Sequence, residues 1–436
     1  MKMMTPGFSQ ARVWAYVILA GLLFGFVQPV AAQVEVEPEN RGLLYPLERR
    51  LTVDSGYFLG YPSNRALVRV GLDYFGAQAL LFDYGMAGAY RVFGDNPLFM
   101  VLTYNVLLNL QSFLLVPPYT VALHEFAHVS RAVAAEADDV AVTHTSRDRE
   151  HQNFFTYFAY GFAPPVQGGR ASYSYDGDEL PQDWPDVVTM GGVNAQTYFA
   201  EKLEEQMFFE GGHAAEAMGY LYNKIPVALY ILAAPSDTGD IDETLSYYDE
   251  KGYGITEDEL MITDFATLAV SPSTYAYLRG VFFGLGDAMT SGGRGQTTPF
   301  LVEPFYAGGF KLPDTAFYLN DVGLSLRVSS AYMFDTWTMP FAVEQVYRGD
   351  PETEVTVGAV LPLELGTLAA ETRAQAFLNI EGVSLETSAG VAFTDFLRLD
   401  LGVSVLDRNT LHGQRNGTRA VTRYGTELWA STAYVY

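Results

Sequence analysis

Leu397-Arg398-Leu399-Asp400-Leu401-Gly402-Val403-Ser404-Val405 alternates without a break. Leu397, Leu399, Leu401, Val403 and Val405 share one side of an extended chain, and Arg398, Asp400, Gly402 and Ser404 share the other. Successive side chains of a strand point to opposite faces, so this stretch reads as a strand with one apolar face. The same period runs outward from it. Val322, Leu324, Leu326, Val328 and Tyr332 alternate with Asp321, Gly323, Ser325, Arg327 and Ser329 within Tyr318–Tyr332. Alternation recurs in Val355–Leu365, Ala374–Ile380, Leu385–Phe393 and Tyr424–Tyr436. With Phe300–Phe310 and Met339–Tyr347 this gives about eight strands of roughly ten residues, parted by polar loops such as Arg348-Gly349-Asp350-Pro351 and Asp407–Gly417.

Alternation marks one apolar face but not its direction. A soluble sandwich and a membrane barrel both produce it. Two details favour a barrel. The polar face mixes Gly and Ser with Arg, Asp and Glu, a content that a narrow barrel interior can hold. The chain ends Tyr434-Val435-Tyr436 inside the last strand, which is similar to the closing strand of bacterial outer-membrane barrels. The expectation is a C-terminal β-barrel over residues 298–436.

Upstream of Ser291-Gly292-Gly293-Arg294-Gly295-Gln296-Thr297-Thr298 the pattern is helical, from Arg65 to about Met289. Pro97–Val116 holds no charge and is long enough to cross a bilayer. It also carries Asn105, Asn109 and Gln111, which are costly against lipid. Pro117-Pro118 predicts a break or bend after it. Further helices are predicted from Thr120 to about Glu136, Gly191 to about Phe209, His213 to about Ala233 with an interruption at Pro226, and Thr263 to Met289. The fold class is α+β: an apolar helical domain over 33–297, its helices buried or barrel-associated, followed by an antiparallel barrel.

Met1–Ala32 carries Lys2 and Arg12, no acid, an apolar run from Val13 to Val27, and small residues at Val30-Ala31-Ala32. This is the pattern of a secretory signal peptide. With the barrel it predicts an exported protein of the cell envelope, in the outer membrane of a Gram-negative-type bacterium, with lipid as a partner. The formal charge is −25, from 26 Lys+Arg against 51 Asp+Glu, which argues against nucleic-acid binding. With no cysteine there is no disulfide and no thiolate ligand. No glycine-rich phosphate loop opens a helix.

The chemistry-bearing stretch is Leu123-His124-Glu125-Phe126-Ala127-His128, with no Gly or Pro between Thr120 and Glu136. On a helix, residues four apart lie on one face, so two imidazoles can share one Zn²⁺. The glutamate between them can take a proton from metal-activated water. Catalytic zinc commonly has three protein ligands, so a third is needed. Glu201 is the first choice, sharing a helix face with Asn194 seven residues earlier. Asp240, in Ser236-Asp237-Thr238-Gly239-Asp240, and His213, one turn before Glu216, remain open. His144, His151 and His412 read as loop residues.

His124-Glu125-Phe126-Ala127-His128 is the signature of the zincin metalloproteases. Set in an apolar helix, it resembles that of the site-2 proteases, the intramembrane zinc peptidases. Gly191-Gly192-Val193-Asn194 and Asn223-Lys224-Ile225-Pro226 are loosely similar to two further elements of that family. Where that family has an aspartate ligand soon after its Asn-x-x-Pro, this chain has Ile231, and the next acid is Asp237. A gluzincin-like arrangement, with a glutamate supplied by a helix, would use Glu201. The resemblance covers Thr120 to Asp240 and leaves out the β half. It implies Zn²⁺ held by His124, His128 and a carboxylate, Glu125 as the catalytic base, and a polypeptide substrate. Two other readings stay open: a structural or transport-type outer-membrane barrel with a non-catalytic metal site, and an inner-membrane intramembrane protease with a soluble β domain.

Overall fold

Ser63 opens the first helix: its hydroxyl accepts the Ala66 N–H at 3.2 Å, satisfying one of the donors that a helix start leaves unpaired. The structure is a computed structural model that describes residues 50–54, 61–94, 96–135, 137–144, 147–151, 153–161, 168–174, 184–233, 239–290, 301–365, 368–394, 397–407, 409–416 and 426–435. The signal-peptide pattern of Met1–Ala32, the boundary loop Ser291–Thr298 and the terminal Tyr436 lie outside the described residues.

The helices are α1 (Asn64–Phe93), α2 (Pro97–Leu110), α3 (Val116–Ala134), α4 (Phe154–Gly161), α5 (Trp184–Thr189) and α6 (Gly191–Glu210). Then come α7 (Ala217–Lys224), α8 (Pro226–Ala233), α9 (Asp240–Glu250), α10 (Glu257–Val270), α11 (Pro272–Thr290) and α12 (Leu411–Asn416). The strands in the first part of the chain are β1 (Arg50–Asp54), β2 (Asp138–His144), β3 (Arg147–His151), β4 (Gly169–Ser174) and β5 (Gly212–His213). Short strands β6 (Leu301–Val302), β7 (Tyr306–Ala307) and β8 (Phe310–Lys311) lead into β9 (Asp314–Asn320), β10 (Gly323–Met333) and β11 (Thr338–Gly349). The last five are β12 (Thr353–Leu365), β13 (Leu368–Leu378), β14 (Val383–Thr394), β15 (Leu397–Val405) and β16 (Thr426–Val435).

The α+β class holds, helices first and a large antiparallel sheet after them, but the sheet differs from the expected eight-stranded barrel. It has eleven strands, ordered β1-β16-β15-β14-β13-β12-β11-β10-β8-β7, with β9 also on β10. Among the described residues no strand pairing joins its two edges into a closed barrel. Three causes account for the count. The single strand expected over Phe300–Phe310 is broken into short pieces, of which β7 and β8 join this sheet. Tyr318–Tyr332 turns at Asp321-Val322 and so makes two strands, not one. Arg50–Asp54, far upstream, pairs with the last strand from Arg50↔Val435 to Asp54↔Ser431.

Two free sides of the sheet, on β1 and β9, are met by helices. On β1, the Thr52 N–H donates to Asp73 of α1 at 2.9 Å. On β9, Asn194 of α6 accepts the Leu319 N–H at 3.0 Å and donates to the Leu319 carbonyl at 2.7 Å. Ser271, just before α11, accepts the Thr315 N–H at 3.1 Å. Side chains thus satisfy some of the backbone groups that β1 and β9 leave without a neighbouring strand.

The polar face of the sheet is the inner one. In β15, Arg398, Asp400 and Ser404 are buried while Leu397, Leu401 and Val405 are exposed. In β12, Glu354 and Thr356 are buried while Val355, Val357, Leu361 and Leu363 are exposed. Helices α1, α6 and α12 lie against this inner face. Arg65 of α1 reaches Glu427 at 2.7 Å, and Arg415 of α12 holds Glu344 in a two-point pair.

The helical half buries the opposite kind of surface. Phe75, Tyr119, Phe126 and Phe199, from α1, α3 and α6, form the centre of its core. Pro117-Pro118 bend the chain rather than end a helix. A π-turn over Gln111–Leu115 joins α2 to α3, and the prolines sit in the first turn of α3, where the missing N–H costs little. Thr263–Met289 is split at Pro272 into α10 and α11.

Candidate metal centre

His124 and His128 lie one turn apart on α3, a deeply packed helix of the core. Their rings meet edge to face with centroids 4.8 Å apart. Asp240 comes to them from the first residue of α9. Gly239 precedes it, and Asp242 and Glu243 follow in the first turn, where acids suit a helix N-terminus. Tyr230 of α8 fixes this approach. Its ring stacks on His124 at 5.8 Å, and its hydroxyl accepts the Asp240 N–H at 3.3 Å.

The three donor atoms form a triangle. His124 Nε2 and His128 Nε2 are 3.1 Å apart, and Asp240 Oδ2 is 2.8 Å from the first and 3.0 Å from the second. Tetrahedral zinc with bonds of about 2.0–2.1 Å needs donors about 3.3 Å apart, a few tenths wider than this triangle. The other ring nitrogens fix the tautomers. His128 Nδ1 donates to the Val188 carbonyl at 2.7 Å, and His124 Nδ1 donates to Gln196 Oε1 at 3.0 Å. Both Nε2 atoms therefore face the carboxylate and one another, the arrangement that metal-binding imidazoles adopt. Two imidazoles and one carboxylate fit Zn²⁺ or a similar divalent cation, and the group can hold a metal ion. Burial alone would raise the Asp240 carboxyl, but His128 and His124 outweigh it and hold the carboxyl well below the usual carboxylate range.

Glu125 points from the same helix turn towards β4. The Ala171 N–H donates to it, and burial raises its carboxyl in spite of the two imidazoles. A Cβ added at Gly169 would fall 2.5 Å from Glu125 Cγ and 2.1 Å from the Tyr157 hydroxyl. The strand backbone therefore lies directly on the glutamate. Gly192 plays the same part on the other side. A Cβ there would stand 2.5 Å from both His124 Cε1 and His128 Nε2, so only glycine lets α6 approach the imidazoles.

The structure does not bring Glu201 into this group. Its carboxylate accepts the Tyr318 hydroxyl at 2.5 Å and pairs with Arg327 at 3.3 Å, on the inner face of the sheet. The reason is helical phase. Gly192 and Gln196, four apart on α6, face the imidazoles, whereas Asn194 and Glu201, seven apart, face β9 and β10. The choice of Glu201 as third ligand is corrected to Asp240. His213 is also elsewhere. Its Nε2 pairs with Asp83 at 3.0 Å and its Nδ1 accepts the Ala215 N–H at 3.0 Å. His144, His151 and His412, read as loop residues, are buried in β2, β3 and α12.

Gln196, Tyr230, Val188 and Ala171 were not read as site residues. Gln196 sits one turn beyond Gly192, and this spacing is the one signal that marked it. Val188 and Ala171 act through the backbone and leave no signal in residue type. No family model, curated protein or solved structure is similar to this chain.

Proposed function

We propose that the protein is a metal-dependent hydrolase whose metal ion is held by His124, His128 and Asp240, with Glu125 as the base. The observation that carries this is the donor triangle with both imidazoles oriented from behind by Val188 and Gln196. A bound divalent cation of the zinc type would acidify a water and polarise a carbonyl. The protein's own groups do the rest. Glu125 accepts the proton of the attacking water and returns it to the leaving group.

A polypeptide substrate is supported by β4. It is an edge strand of the small sheet, ordered β3-β2-β4, and it runs beside Glu125. An extended peptide can add to such an edge through main-chain hydrogen bonds. In this reading the protein resembles the zinc peptidases named above, with Asp240 in place of the aspartate ligand that the sequence spacing did not reveal.

Glu125→Gln separates catalysis from metal binding. Wild type and variant, purified with their metal, would be assayed for hydrolysis of fluorescein-labelled casein. Loss of a positioned base lowers hydrolysis by about 10²–10⁴-fold while metal content stays the same. Equal rates in the two proteins would refute the hydrolase reading.

A further inference from the structure

We propose that the outer face of β11–β16, together with the exposed side of α2, lies against the hydrocarbon of a lipid bilayer. The inference concerns a different part of the molecule from the metal centre and does not depend on the hydrolase reading.

The strand register defines the outer face. Val355, Val357, Leu361 and Leu363 pair with Leu378, Ala376, Thr372 and Ala370. Leu385, Thr387 and Ala389 pair with Val405, Val403 and Leu401. No residue in these outward rows carries a charge. The apolar ones are open to the surroundings: Val343, Val357, Leu361, Leu385, Leu401 and Leu428 are all exposed. Water-soluble proteins rarely leave an apolar surface of this extent uncovered.

The charges of these strands are on the other face, and they are paired. Arg398 meets Asp400 at 2.7 Å, and Arg373 meets Glu371 at 2.6 Å. Glu427 takes Arg65 at 2.7 Å. A sheet with its charges sealed inside and its hydrocarbon outside inverts the arrangement of a soluble domain.

Backbone chemistry is the harder test, because a free strand edge is not tolerated in lipid. Here Asp73 holds the Thr52 N–H of β1, and Asn194 and Ser271 hold Leu319 and Thr315 of β9. Side chains beside the helices thus satisfy these backbone groups on β1 and β9. The strands are also long enough: at about 3.3 Å per residue, β12 reaches roughly 40 Å, beyond a hydrocarbon core of about 30 Å even when tilted.

The helical half carries an apolar surface of its own. Pro97–Ala134 is a 38-residue helical run whose most apolar window is only 28% buried. The exposed residues belong to α2 and the π-turn, with Leu98, Leu102, Val106 and Phe113 open, whereas α3 with the metal centre is packed inside the protein. The uncharged surface on both halves argues for a fluid that wets the molecule rather than one partner that covers a patch.

The chain has no cysteine, so one introduced cysteine is the sole labelling site. Full-length Leu401→Cys, Leu361→Cys and Ile380→Cys proteins would each receive a nitroxide in phosphatidylcholine vesicles. Collision with oxygen, which concentrates in hydrocarbon, would be compared with collision with a water-soluble nickel complex. Oxygen should dominate at Leu401 and Leu361, and nickel at Ile380, which is 97% exposed in the turn after β13. Nickel dominating at all three sites would overturn the proposal. So would a detergent-free, water-soluble wild type, or a dimer whose Leu401 labels broaden one another.

Discussion

The two halves of this chain bury opposite things. The helical half hides Phe75, Tyr119, Phe126 and Phe199 and gathers its polar chemistry at one place on α3. The sheet hides Glu344, Glu354, Arg398 and Asp400 and turns its leucines and valines outward. Both follow from patterned sequence, yet period alone does not set the sign. What stands against each face sets it. Helix α6 shows this within twenty residues. Its Phe199 and Leu203 enter the apolar core, while Lys202 and Glu205 pair with each other at 2.6 Å inside the cup of the sheet.

The sharpest way to break the comparison is to disturb a buried charge on the sheet side. Glu344 is fully buried and holds both Nη atoms of Arg415. Glu344→Ala leaves that guanidinium buried without its carboxylate partner, at a cost of about 3–5 kcal/mol. A denaturant midpoint in detergent measures it. A shift no larger than that of a surface substitution would show that the inner face is wet and its charges interchangeable.

A matched pair of leucines comes next. Leu203, 1% exposed on α6, should lose about 2–5 kcal/mol on change to alanine. Leu401, 53% exposed on β15, should lose less than about 1 kcal/mol by the same midpoint. Equal losses would mean that the outward face of β15 is covered by protein.

A pH dependence on the helical side is the third test. Asp264 of α10 accepts the Ala228 N–H at 2.8 Å, and burial pushes its carboxyl up to about 8. Below the ordinary carboxylate value of 3.8 both folded and unfolded chains hold this proton. Above it the unfolded chain ionises first, so the contribution to stability falls as pH rises to about 8 and is level beyond. Asp264→Asn keeps an acceptor for Ala228 and removes the titration. Its midpoint should fall less between pH 5 and pH 8 than that of wild type. Parallel curves would show that Asp264 ionises normally in the folded protein.

Local features were legible in the sequence and distant ones were not. The unbroken alternation of Leu397–Val405 became β15 at its expected limits, and the spacing of His124 and His128 placed both on one helix face. Direction was not legible from the period, but the Gly, Ser and charged content of the polar face suited a narrow interior, and Arg398, Asp400 and Ser404 are buried there. Asp240 was one of three candidates for the third ligand. It sits more than a hundred residues from the histidines and reaches them only because α8 and α9 fold back over α3. Glu201 was favoured for its place on a helix near Asn194, and that same phase turns it towards the sheet. The sealing of β1 and β9 by Asp73 and Asn194 also joins groups that no local pattern connects.

Zinc content by elemental analysis tests the central claim most directly, in wild type, Asp240→Ala and Glu201→Ala purified alike. The account predicts about one zinc per chain in wild type and Glu201→Ala, and its loss in Asp240→Ala with the fold retained by circular dichroism. Zinc kept by Asp240→Ala, or absent from folded wild type after reconstitution, would contradict it.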